Sequence, residues 1–136
     1  MERAVRIRRE VMRQMVDAAR LVPAEECCGL LAGKEGLITT LFPATNALHS
    51  ATEFEIAPQE LFRIFRAMRA AGVEHMGIYH SHPTSENVPS PRDIERAYYP
   101  EAVYFILSPQ ANAQRPVRAF GIWGRVASEV RVEETN

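Results

Sequence analysis

The chain has 136 residues, 46% hydrophobic and 24% charged, with 16 basic against 17 acidic side chains and a formal net charge of −1. At roughly 150 residues per domain that is a single domain, with enough apolar side chains to build a core without metal or disulfide staples. The charge balance gives no electrostatic case for nucleic acid, no apolar run approaches the ~18 residues of a membrane span, and two adjacent cysteines cannot make a disulfide framework, so a reducing, cytoplasmic setting is expected.

From Ile7 to Leu21, Val11, Met12, Met15, Val16 and Ala19 recur at helical spacing and predict an amphipathic helix that Pro23 stops. Cys28–Ala32 and Leu37–Phe42, joined through Lys34-Glu35-Gly36, predict a hairpin. After a loop from Pro43 to Thr52, the alternation in Glu53-Phe54-Glu55-Ile56 predicts a short half-buried strand. Pro58 can open a second helix, with Leu61, Phe62, Phe65 and Met68 as its core stripe and Gly72 as its C-terminal cap. Met76–Ser81 reads as a strand, Pro83–Pro89 as a loop and Pro91–Tyr98 as a short helix. Ala102–Leu107, Val117–Trp123 and Ala127–Val132 read as closing strands. This order predicts an α/β (α+β) domain, residues 1–136, with helices covering a mixed sheet.

The informative segment runs from His80 to Asp93. On an extended chain, residues two apart face the same side, so His80 and His82 at a strand end can present both imidazoles to one ion. The loop that follows is long enough to swing Asp93 back toward them. Two neutral imidazoles and a carboxylate suit Zn²⁺ and leave a fourth tetrahedral position for solvent. A plainer reading is open too, because Ser90-Pro91-Arg92-Asp93 has the form of a capping box with Pro at the first helical position. The two readings are compatible. The histidine pair by itself also fits two surface imidazoles, and His49 and His75 are read as structural. Cys28 reads as a small buried hydrophobe. Hydrolysis on zinc needs a proton shuttle that is not a ligand, and Glu25 and Glu26 stand at the entrance of the apolar run Cys28–Leu31; either could equally be a solvated charge.

Taken together, Glu26-Cys27-Cys28-Gly29, His80-Ser81-His82-Pro83 and Ser90-Pro91-Arg92-Asp93 resemble the JAMM (MPN-plus) metalloprotease family, in order and in the gap from His82 to Asp93. The resemblance implies a cytidine-deaminase-like fold, a curved mixed sheet sandwiched by helices. It implies His80, His82 and Asp93 as zinc ligands and Glu26, rather than Glu25, as the general acid/base. It also implies that Ser90 helps to hold the tetrahedral intermediate. Active members cut peptide or isopeptide bonds at the C-terminal tails of ubiquitin-like proteins. The chain is close to a minimal catalytic core, without the insertions that grip two ubiquitins, and so is more similar to compact prokaryotic members that act on sulfur-carrier proteins ending in Gly-Gly.

The rival class is a non-catalytic MPN-like scaffold that binds partners without metal. Such members typically lack a ligand position, and here all are present. A zinc deaminase would need a Pro-Cys-x-x-Cys partner motif, which is absent. A metallo-β-lactamase-like enzyme typically continues His-x-His with Asp-His, where Pro83-Thr84-Ser85 stands here.

Overall fold

Alternating apolar side chains give the sheet two dry faces, and each face is covered by one long helix. The computed structural model describes residues 3–136; Met1 and Glu2 lie outside the described residues. The elements are β1 (Ala4–Arg8), α1 (Arg9–Leu21), β2 (Cys28–Lys34), β3 (Leu37–Ala44), α2 (Pro58–Ala71), β4 (Glu74–Ser81), α3 (Pro91–Glu95), β5 (Val103–Leu107), β6 (Val117–Trp123) and β7 (Val126–Thr135). Strand order is β1-β3-β2-β4-β5-β6-β7, and β1 pairs in parallel with both β3 and β7, so the mixed sheet curves until it closes. β4 and β5 are also parallel, and the remaining neighbours are antiparallel.

The closing strand departs from the sequence reading, which begins the first helix at Ile7. Ala4–Arg8 alternates between exposed and buried, with Val5 and Ile7 turned inward. A strand this short runs into α1 with no turn residue between them, so the helical period masks it. Val11, Met15 and Ala19 of α1 fill the inside of the closed sheet, against Ile7, Leu31, Ile38, Tyr79, Phe105, Ala119 and Val130. Every strand contributes to this core, at about 1.5–3 kcal/mol for each large apolar side chain taken out of water.

On the outer face, Ile64 and Met68 of α2 cover Leu30, Ile78, Tyr104 and Ile122. α2 starts with Pro58 and ends at Gly72 in the left-handed region (φ 70°), where the Gly72 and Val73 N–H groups close the last turn onto Arg69 and Met68. Its buried stripe includes Ile64 rather than Phe62, which is 65% exposed beneath the Arg66 guanidinium. Gly29 pairs with Tyr79 across β2 and β4, and a Cβ there would lie 2.5 Å from the Tyr79 hydroxyl and from the Phe42 carbonyl oxygen. Only glycine admits that ring.

Two further expectations change. Glu53–Ile56 is not a strand, because the Asn46 side chain takes up the Glu53 carbonyl and the Glu55 N–H that a ladder would have used. α3 stops at Glu95 rather than Tyr98 and buries no residue. Among the described residues, no helix is long and apolar enough to cross a membrane.

Candidate metal centre

Strand parity places the site. Ile78 faces the core under α2, so His80 and His82, two and four residues on, share that outer face at the C-terminal end of β4. Both imidazoles are buried, and so is Ser81 between them. β2 runs antiparallel to β4 with Cys28 opposite His80. The pairing continues one step further, with Ser81 N–H donating to Cys27 O and the Ser81 hydroxyl accepting from Cys27 N–H at 2.9 Å. Extending the register once more brings Glu26 opposite His82, on the same face as both imidazoles.

Asp93 arrives from the first turn of α3. The Ser90 hydroxyl accepts from the Asp93 N–H at 3.0 Å, and Asp93 Oδ2 accepts from the Ser90 N–H at 2.9 Å. The capping box is therefore formed, and it aims the carboxylate instead of competing with a role at the site. The same Oδ2 lies 3.0 Å from His82 Nε2 and 3.2 Å from His80 Nε2, and the two Nε2 atoms are 3.1 Å apart. These donors form a nearly equilateral triangle. Tetrahedral zinc with bonds of about 2.0–2.1 Å separates its ligands by roughly 3.3 Å, so the triangle matches one face of such a site. His82 Nδ1 lies 2.7 Å from the Glu86 carbonyl oxygen, a contact that puts the proton on Nδ1 and leaves Nε2 to face the triangle. The His80 ring is held by stacking on Phe54, with centroids 4.6 Å apart. Among the described residues, His80, His82 and Asp93 form the one group of three or more ligand-type side chains able to hold a metal ion.

Electrostatics follow burial. Desolvation keeps His80 below its usual pKa and hence neutral, the form that ligates a cation. For His82 burial acts the same way, but the Asp93 hydrogen bond and the Glu86 carbonyl outweigh it and raise the value. Burial would raise Asp93, yet the two histidines hold its carboxyl far below the ordinary range. Glu26 is 3% exposed, and its Oε1 has no hydrogen-bond partner. Desolvation pushes its carboxyl up to about 8; His82 opposes this, while Asp93 and Glu53 add to it. Glu25, by contrast, sits at the surface with its Oε2 3.4 Å from His49 Nδ1. His75 is structural, set between the rings of Phe65 and Tyr99 with Nε2 3.0 Å from the Gly77 carbonyl oxygen. Cys28 is buried.

A cavity of about 270 Å³ opens onto His80 and Asp93, with Phe54, Ile56, Leu61 and Tyr104 among its walls. Arg92 and Arg96 clamp its rim by both reaching Glu53 Oε1, at 2.5 and 3.4 Å. Sequence reasoning missed Phe54, Glu53, Asn46 and Ser81. Each acts through a partner remote in the chain, and only Ser81, inside the His-x-His motif, stood where a signal existed.

A closed mixed sheet thus brings a His-x-His strand end and an aspartate from the following helix to one point, an arrangement able to hold a metal ion. Residues 8–122 match the family described as prokaryotic homologs of the JAB domain. A desampylase of Haloferax volcanii is 41% identical over 93 residues, covering 66% of this chain and 67% of that protein. A CysO-cysteine peptidase of Mycobacterium tuberculosis is 35% identical over 118 residues, covering 85% and 81%. A solution structure of a Desulfitobacterium hafniense protein superposes with a TM-score of 0.86 at 28% identity, covering 97% of this chain and 93% of that one. A JAB1/MPN domain protein from Archaeoglobus fulgidus shares the fold, with a TM-score of 0.67 at 17% identity over 98% of each chain. The chain belongs to the prokaryotic JAB family, the compact branch of the JAMM metallopeptidases.

Proposed function

We propose that this protein is a zinc-dependent peptidase or isopeptidase that hydrolyses the bond after the C-terminal Gly-Gly tail of a ubiquitin-like or sulfur-carrier protein. In this reading His80, His82 and Asp93 hold Zn²⁺, Glu26 is the general acid/base and Ser90 supports the oxyanion. The observation that carries it is the triangle of three donor atoms 3.0–3.2 Å apart with a buried carboxyl facing the same side. The names of the desampylase and CysO-cysteine peptidase relatives support the substrate class. Two free thiols go with a cytoplasmic setting.

A zinc ion held by this triad supplies Lewis acidity to a scissile carbonyl and lowers the pKa of water from 15.7 toward about 7. Glu26, buried and opposite His82, removes a proton from the attacking water and later delivers it to the leaving amine. The Ser90 oxygen already accepts from Asp93 N–H, so its own proton is available to the developing oxyanion. His82 Nδ1, against the Glu86 carbonyl, keeps the imidazole tautomer fixed throughout.

The test has two parts. Metal analysis before and after chelation is expected to find about one zinc per chain, and a carrier extended beyond Gly-Gly is expected to lose the mass of the extension only with the metal-loaded protein. Glu26→Gln is expected to keep the zinc and lose at least a hundredfold in kcat. A protein that takes up no zinc when it is supplied, yet still binds the carrier without cutting it, would establish the scaffold reading instead.

A further inference from the structure

The Asn46 side chain is 2% exposed and spends every polar atom on backbone. Its amide nitrogen donates to the carbonyls of Glu26, Ser50 and Glu53, at 3.1, 3.3 and 3.0 Å. Its oxygen accepts from the N–H groups of Leu48 and Glu55, at 3.0 and 3.3 Å. Two of these partners flank Phe54, the ring that stacks on His80. A third is the residue whose carboxyl faces His82, and its own N–H is tied to Ser50 O at 2.8 Å. No other side chain among the described residues bonds both the strand entrance that carries Glu26 and the turn that carries Phe54.

We infer that Asn46 is a positioning residue for the reaction, setting Glu26 in register with the metal-ligand face. This rests on the acid/base assignment proposed above for Glu26. The physical reason is geometric. Glu26 precedes β2 and has only one ladder step beyond Cys28 to steady it, so its backbone direction depends on the Asn46 amide that donates to its carbonyl and the Ser50 carbonyl that accepts from its N–H. A displacement of about 1 Å in a reacting group costs on the order of a hundredfold in rate.

The experiment is a double-mutant cycle on the zinc-loaded enzyme, read as kcat on an extended carrier. Asn46→Ala in the wild-type background is expected to lower kcat ten- to a hundredfold with zinc content unchanged. In the Glu26→Gln background the same substitution is expected to change the residual rate less than twofold, because the group it positions no longer works. Equal losses in both backgrounds would reduce Asn46 to a general scaffold residue and overturn the inference, as would full activity in Asn46→Ala. Should Asn46→Ala not fold, Asn46→Asp keeps the shape and the acceptor for Leu48 and Glu55, and is expected to repeat the same non-additive pattern; additivity there overturns the inference too. Full activity in Glu26→Gln alone would instead overturn the acid/base assignment, so the two failures are distinct.

Discussion

A carboxyl with almost no exposed surface and an unpartnered oxygen resists ionisation, and Glu26 does so by several pH units. Its pKa rises from 4.5 to about 8, so the folded chain binds the proton more tightly than the unfolded chain does. The stability that Glu26 contributes is therefore fully present below about pH 4.5, is lost as pH climbs toward about 8, and falls no further above that. In the chelated protein, urea unfolding across this window is expected to show wild type falling by about 3–5 kcal/mol relative to Glu26→Gln. Parallel curves for the two proteins would mean that burial does not shift this carboxyl. The choice between Glu25 and Glu26 was beyond local reading, since two adjacent acids at a strand entrance look alike until the fold leaves one partly exposed beside His49 and buries the other.

α3 is five residues long and buries none of them fully, Ile94 packing only in part against the outer core, so packing alone does not hold it. The capping box does, and the separate roles proposed for Ser90 and Asp93 are expected to come apart in variants. Asp93→Asn keeps a side-chain oxygen for the Ser90 N–H, so the cap is expected to survive, while zinc affinity falls at least tenfold for want of a charged ligand. Ser90→Ala is expected to cost about 1 kcal/mol of stability, keep the zinc and slow turnover about 10²–10³-fold. Metal titration, unfolding and kcat on the same two proteins check this; wild-type zinc affinity in Asp93→Asn would leave the carboxylate as a helix cap alone. Elements with their own punctuation were legible: Pro58 to Gly72 for α2, Ser90 to Asp93 for α3, and the apolar run ending in His-x-His for β4. Glu53–Ile56 was not, because a side chain from Asn46 replaced the strand partner that its alternation called for.

At the scale of the whole molecule, the candidate metal centre joins the end of β4, β2's entrance and α3, which meet only after the sheet has curved. A ligand bound by the native state alone stabilises it, by about 2.7 kcal/mol at a hundred times Kd. Zinc is accordingly expected to raise the melting temperature of the chelated protein by roughly 10 °C, and the same addition to Asp93→Asn to shift it by far less. A wild-type melting curve indifferent to zinc would remove the site from the folded molecule.

The candidate ligand types, their spacing and the period of the long elements were written in the chain itself, since a strand's two-residue repeat and a cap's three-residue repeat act over distances that local sequence spans. Closure through Ala4–Arg8, the opposition of Glu26 to His82 and the placing of Phe54 on His80 were decided by tertiary structure alone. These depend on which strands become neighbours, and that is settled by burying two apolar faces at once, a condition no single stretch of sequence contains.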